Sequence, residues 1–198
     1  MIKESLFIKS INNYKTFPLK RLPEILLIGR SNVGKSSLIN ALTNRKKISF
    51  VSKKAGKTMY LNYFLINNQF YLIDSPGYIN NLDKKKNIIN IFDIIGKFLK
   101  KNFFIKIIFQ LMDFKIGPTL LDLKIYKKLN EKKILTIIIF NKKDKISKNK
   151  ILNQIKKIEK IFLFNFFYIP KYLLISCKKK IGIKEIIDII IQTKIISS

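Results

Sequence analysis

The stretch Gly29-Arg30-Ser31-Asn32-Val33-Gly34-Lys35-Ser36 satisfies GxxxxGK[ST] and constrains this chain more than any other. The run Glu24–Ile28, bounded by Pro23 and Gly29, precedes it, and Ser36–Lys46 follows with helical spacing from Leu38 to Leu42. A strand feeding a glycine-bounded loop and then a helix is the context in which this pattern acquires physical meaning. The glycines let the backbone wrap close to phosphates, and successive N–H groups then face the negative charge together with the positive helix end. Lys35 supplies a point charge toward β- and γ-phosphates, and the Ser36 hydroxyl is a hard oxygen ligand for Mg²⁺. The pattern accepts ATP and GTP alike.

The rest of the chain continues the alternation. Tyr60–Ile66 and Gln69–Ile73 read as strands flanking Asn67-Asn68, a pair suited to a hairpin turn. Asp83–Lys101 reads as a lysine-rich amphipathic helix and Ile105–Met112 as an apolar strand. Leu120–Asn130 is then expected as helix, Ile134–Phe140 as strand, Lys148–Ile161 as helix, Tyr172–Ile175 as strand and Ile183–Ile195 as the closing helix. Near-continuous apolar strands alternating with helices imply an α/β fold of about six strands, mostly parallel, with helices on both faces. The two runs around Asn67-Asn68 are too close for a parallel crossover, so Tyr60–Ile66 is expected antiparallel, at an edge. No repeat or linker divides the 198 residues. One domain over 23–198 is expected, with 1–22 as an N-terminal extension packed on it. Phe162, Phe164, Phe166 and Phe167 are expected to pack into the core, which is how aromatics usually serve; a stacking platform for RNA is the other use of such a run.

Composition removes whole classes of chemistry. There is no histidine, which excludes His-based triads and HExxH zinc sites, and the single cysteine, Cys177, excludes a disulfide framework. Forty Lys+Arg against twelve Asp+Glu give a formal net charge of +28. Two causes fit that excess: affinity for nucleic acid or an anionic surface, and a base-skewed genome that favours Lys, Ile, Asn and Phe codons. The N-terminus has no apolar h-region. The runs Ile134–Phe140 and Ile186–Ile191 fall far short of the roughly 20 residues that span a bilayer. No membrane insertion is expected, and the cytoplasm of a bacterium or endosymbiont is the expected compartment, an organelle being the other.

The choice of base rests on Asn141-Lys142-Lys143-Asp144, directly after an apolar strand, where α/β sheets present their ligand-binding ends. The Asp144 carboxylate can accept from guanine N1–H and the 2-amino group; adenine offers no such donor pair and would leave a charged acceptor unpaired. The Lys142 stem can lie over the purine, and Asn141 can tie this loop to the phosphate loop. Asp74-Ser75-Pro76-Gly77 supplies DxxG after another strand end, with Asp74 on Mg²⁺ through a water and the Gly77 amide at the γ-phosphate. Thr58 stands where a hydroxyl can reach the metal when GTP is bound, and Ser176-Cys177-Lys178 follows the last strand, with a backbone N–H for guanine O6. Four short motifs in this order, each at a strand end, indicate a P-loop G domain that binds GTP.

From Gly29 to Leu42, GRSNVGKSSLINAL resembles the EngB/YihA/YsxC-type GTPases, Era-related and translation-factor-like. Lys57-Thr58, Asp74–Tyr78 as DSPGY, Leu111-Met112-Asp113, Ser176–Gly182 and the lead-in Phe7-Ile8-Lys9-Ser10 extend the resemblance over essentially the whole chain. It implies a GTP site of Gly29, Arg30, Ser31, Asn32, Val33, Gly34, Lys35, Ser36, Gly56, Lys57, Thr58, Asp74, Ser75, Pro76, Gly77, Asn141, Lys142, Lys143, Asp144, Ile175, Ser176 and Cys177. Lys35, Thr58, Gly77 and Asn32 would act on the phosphoryl group, and Ser36, Thr58 and Asp74 would hold Mg²⁺. It also implies a monomer that works in large ribosomal subunit assembly on a precursor of rRNA and ribosomal proteins, and a need for the protein in cell division and septation.

The chain departs from the family pattern in three places. Tyr78 leads into Ile79-Asn80-Asn81 rather than a second Gly-Tyr, Asn141 stands where many members have Thr, and Cys177 replaces Ser or Ala. Tyr78 also occupies the place where Ras-type enzymes carry a water-orienting Gln, which implies slow intrinsic hydrolysis. Asn32 matches a K⁺-coordinating Asn of related GTPases, a turn-favouring asparagine being the other use. A GTP-dependent scaffold with vestigial hydrolysis is the alternative; an ATP-using enzyme is disfavoured by Asp144.

Overall fold

The structure, a computed structural model, describes residues 2–11, 17–44, 60–78, 95–193 and 195. Seven strands form one sheet among these residues: β1 (Ser5–Ile11), β2 (Glu24–Gly29), β3 (Leu61–Ile66), β4 (Phe70–Asp74), β5 (Ile105–Asp113), β6 (Thr136–Asn141) and β7 (Tyr172–Leu174). Their order is β1-β3-β4-β2-β5-β6-β7. β3 pairs antiparallel with both β1 and β4, and the other pairings are parallel. The sheet is therefore the mostly parallel α/β sheet expected, with one strand more than the sequence suggested.

That strand is β1. The hairpin argument puts Tyr60–Ile66 at the edge, yet Ser5–Ile11 adds outside it, with a register irregularity between Phe7 and Lys9. The Asn67-Asn68 turn holds both neighbours. Both asparagines are left-handed, at φ 47° and 58°, in a turn that Gln69 N closes on Ile66 O at 2.9 Å, and Gln69 is a third loop residue before Ile66 pairs with Phe70. Asn67 Oδ1 then accepts from the Lys3 and Glu4 amides at 2.8 and 3.0 Å, so the turn also docks the start of β1.

The helices are α1 (Lys35–Thr43), α2 (described over 95–101), α3 (Leu120–Glu131), α4 (Lys148–Phe166) and α5 (Ile183–Gln192). Alternating strand residues feed the two faces. Ile25 and Leu27 of β2 meet Leu38, Ile39 and Leu42 of α1 and Ile186 and Ile190 of α5. Leu26 and Ile28 meet Phe98 of α2 and Ile125 and Leu129 of α3. Ile138 and Phe140 of β6 pack with Ile158 and Phe162 of α4 and with Tyr126.

Helix α4 runs five residues past its expected end, and its period splits the phenylalanine run. Phe162 is fully buried and Phe166 lies half-buried against Tyr126, ring centroids 5.1 Å apart. Phe164 and Phe167 are 86% and 92% exposed, contrary to the expectation that all four enter the core.

Candidate nucleotide-binding site

The loops that carry the motifs leave the carboxyl ends of adjacent strands. Leu27 of β2 pairs with Asp74 of β4, Gly29 with Leu111 of β5, and Asp113 with Asn141 of β6, so the motif-bearing ends are level. This is where open α/β sheets take ligands.

The phosphate loop opens α1 as expected, and close approach explains its glycines. A Cβ on Gly29 would sit 2.6 Å from the Leu111 carbonyl oxygen. Gly34 has φ 110°, and a Cβ there would strike the Asn141 side-chain amide. Asn32 adopts φ 61° at the exposed tip. Lys35 is buried, and its Nζ donates to the carbonyl oxygens of Gly29 and Arg30 at 3.0 and 3.3 Å. Burial holds its ammonium pKa below the ordinary value, against the attraction of Asp74. Burial likewise pushes the Asp74 carboxyl up, opposed by Lys35 and by the Ser36 hydroxyl, which donates to Asp74 Oδ2 at 2.8 Å.

DxxG lies directly against the phosphate loop. Ser31 N donates to Tyr78 O at 2.8 Å, Tyr78 N to Gly29 O at 3.3 Å, and the Ser31 hydroxyl to Gly77 O at 3.2 Å. A Cβ on Gly77 would fall 2.7 Å from the Ser31 backbone nitrogen, so only glycine allows this approach. Ser75 is buried beside it and Pro76 half-buried.

Asn141 joins the base loop to its neighbours. Its Nδ2 donates to Val33 O at 3.0 Å, and its Oδ1 accepts from Cys177 N at 3.1 Å. The Cys177 amide, which the sequence assigned to guanine O6, is thus engaged by Asn141. Lys143 N donates to Ile175 O at 2.9 Å, a second tie between these loops. Asp144 is exposed in a short 3-10 turn, Lys143–Lys145. The Ser176 hydroxyl donates to its Oδ1 and holds the carboxyl pKa below the usual range, so it is ionised at neutral pH. Burial pushes the Cys177 thiol up to about 12, which removes it as a nucleophile. Gly56, Lys57 and Thr58 lie outside the described residues, as do Ile79, Asn80 and Asn81.

The pairings of two residues escaped sequence reading: those of Asp113, quoted above only as part of Leu111-Met112-Asp113, and those of Asp122. Asp113 pairs with Lys142, Nζ to Oδ2 at 2.8 Å, and so fixes the side chain expected over a purine. Asp122, fully buried at the start of α3, accepts the Tyr78 hydroxyl at 2.6 Å and lies 3.3 Å from Arg30 Nε. The Arg30 side chain is committed there, and its loop contribution is backbone. The available signal for Asp122 was Thr119-x-x-Asp122, a capping pattern ahead of an apolar helix; Thr119 N and Oγ1 both donate to Asp122 Oδ2.

The probable GTP-binding protein EngB of Acholeplasma laidlawii is 39% identical to this chain over 188 residues, covering 95% of this chain and 96% of its own length. The chain belongs to the EngB family of GTP-binding proteins. A family model described as a 50S ribosome-binding GTPase matches residues 24–142. The EngB protein of Clostridium kluyveri is 41% identical over 162 residues, 80% of each chain. Among solved structures, a probable GTP-binding protein EngB has a TM-score of 0.64 at 25% identity, covering 86% of this chain and 97% of that one. Era from Aquifex aeolicus, bound to GDP·AlF4⁻, has the same TM-score and identity over 90% of this chain and 58% of its own. EngB membership makes this chain a GTP-binding GTPase. Among the described residues, no helix is long and apolar enough to cross a membrane.

Proposed function

We propose that this chain is a slow, Mg²⁺-dependent GTPase switch that acts in assembly of the large ribosomal subunit. It works in the cytoplasm as a monomer, on a precursor particle of rRNA and ribosomal proteins. The observation that carries the nucleotide reading is Asn141, bonded at once to Val33 of the phosphate loop and to Cys177 of the last loop. That clasp makes one cradle of the loops, with the ionised Asp144 open to a base that donates twice. The partner is supported by the family model's description as 50S ribosome-binding. A role in cell division and septation is carried over from the family resemblance alone.

The residues present fit Mg²⁺. Asp74 Oδ1 is a buried carboxylate oxygen without a hydrogen-bond partner among the described residues, and the Ser36 hydroxyl stands on the other oxygen. Ser36 directly, Asp74 through a water, and Thr58 in the GTP state would hold the ion, which supplies charge neutralisation at the β- and γ-phosphates. Asn32, exposed at the loop tip, would hold a K⁺ ion there. Lys35 binds the same phosphates, and the Gly77 amide marks the γ-position. Tyr78 is buried with its hydroxyl on Asp122, so it orients no attacking water. Hydrolysis therefore awaits a partner or cation, and the same tyrosine favours the second reading, a scaffold whose hydrolysis is vestigial.

Co-sedimentation with large-subunit precursors tests the role. Retention with a non-hydrolysable GTP analogue and release with GDP is expected; equal retention with both would remove the switch. Acceleration of multiple-turnover hydrolysis by the particles separates the GTPase from the scaffold.

A further inference from the structure

The far end of α4 carries two large aromatic rings in water. Phe164 and Phe167 are the most exposed hydrophobic residues of the run 162–168, while Phe162 and Phe166 of the same run pack inward. The helix therefore satisfies the core with one pair and presents the other. Phe167 closes the helix at φ 62°, a left-handed conformation that glycine or asparagine adopts readily and a bulky residue at a cost. A ring therefore occupies a position whose backbone disfavours a bulky residue.

Lysines complete the face. Lys156, Lys157 and Lys160 are exposed, and helical spacing of three and four residues aligns them with Phe164 along one outer stripe of about 12 Å, with the exposed cap residue Phe167 following at the helix end. None of the three pairs with a described carboxylate. The inner side of this helix end is packed: Phe166 is seated on Tyr126, whose hydroxyl meets that of Tyr168 at 3.1 Å.

We propose that Phe164 and Phe167, with Lys156, Lys157 and Lys160, form a binding surface for unpaired RNA, the rings stacking on bases and the lysines on phosphates. Flat apolar faces in line with a row of unpaired cations match a strand whose bases are splayed and whose backbone is anionic. A lipid surface fits less well. Asn165, between the two rings in the chain, and Lys171, four residues past Phe167, are exposed polar groups that an acyl layer disfavours. The surface also stands apart from the nucleotide. Helix α4 starts four residues past Asp144 and runs 19 residues, about 28 Å, toward the other end of the sheet. RNA binding here is independent of GTP or GDP, and its failure would leave the reading of the GTP site untouched.

Fluorescence anisotropy of a labelled oligouridylate with the full chain tests the proposal. Phe164→Ala/Phe167→Ala is expected to lower affinity ten-fold or more, with duplex RNA binding and GDP binding unchanged. Lys156→Gln/Lys157→Gln/Lys160→Gln should reduce the salt slope by about two. The chain contains no tryptophan, so Phe164→Trp provides a single reporter. Its emission should be quenched by the oligonucleotide at unchanged affinity. Undiminished affinity in the double alanine variant would overturn the proposal. So would a blue shift of the Phe164→Trp emission on phosphatidylglycerol vesicles without quenching by RNA, which would assign the face to lipid. Sedimentation as a dimer that the double variant abolishes would assign it to a second copy, and equally overturn it.

Discussion

The Tyr78 hydroxyl donates to Asp122 Oδ1 at 2.6 Å, and both residues are almost wholly buried. The bond spans 44 positions and ties the residue after DxxG to the first turn of α3, while the Tyr78 backbone bonds both ends of the Gly29–Ser31 segment. Burial and the neighbouring carboxylate push the Tyr78 pKa well above its ordinary value, so it stays a donor.

Tyr78→Phe should therefore act on stability rather than on chemistry. Losing a buried bond to a charged acceptor costs about 1.5–3 kcal/mol, while the ring remains in place. Denaturant unfolding is expected to show that loss, with GDP affinity and single-turnover hydrolysis retained. A variant of unchanged stability but abolished hydrolysis would show that the hydroxyl serves the reaction.

Asp144→Asn should weaken GDP and GTP together and relax discrimination against adenine nucleotides, because an amide offers one acceptor where the carboxylate offers two. Each charge-assisted bond is worth about 1.5–3 kcal/mol, so a loss of at least ten-fold in affinity is expected. Ser176→Ala removes the donor that orients Asp144 and should lose less. Calorimetric titration with GDP and ADP measures both; unchanged GDP affinity in Asp144→Asn would refute the assignment.

The legible parts of the molecule were those written in short local patterns. Gly29–Ser36 between a strand and a helix, Asn141–Asp144 after a strand, and the left-handed Asn67-Asn68 turn each follow from neighbours in the chain. β1 was harder to read, because Lys9 and Ser10 break its apolar character and its pairing with β3 is supplied from 50 to 61 positions away. Asp122 met the same obstacle: its partners Tyr78 and Arg30 arrive only by tertiary packing. The end of α4 was obscured by its composition. Four phenylalanines in six residues suggest burial throughout; the 3.6-residue period leaves Phe164 outside, and the left-handed cap ends the helix with Phe167 outside as well.

Ser36→Ala and Thr58→Ala should part company. The Ser36 hydroxyl already stands on Asp74, so its loss should weaken Mg²⁺-dependent binding of GDP and GTP alike. Thr58 would contact the metal only when GTP closes the loop, as switch loops do. Nucleotide titrations with and without Mg²⁺ distinguish them; equal losses of GDP affinity in both variants would contradict the switch.

Glu24 should make stability depend on pH far from the nucleotide. It opens β2, is 2% exposed, and accepts from Asn102 Nδ2 and, at 3.4 Å, from the Tyr63 hydroxyl. Burial raises its pKa from 4.5 to about 7, only partly offset by Asn102, Tyr63 and the charge of Arg21. The folded chain thus binds this proton more tightly than the unfolded chain. Stability from this group is full below about pH 4.5, declines as pH rises, and is lost above about 7. The shift corresponds to something on the order of 3 kcal/mol. Glu24→Gln keeps an acceptor for both donors and cannot ionise, so any cost of its extra N–H groups is the same at every pH. Unfolding free energies of the two proteins, measured across that range, should therefore converge or cross in favour of the glutamine as pH rises. Parallel profiles would show that Glu24 titrates normally and that its surroundings admit water.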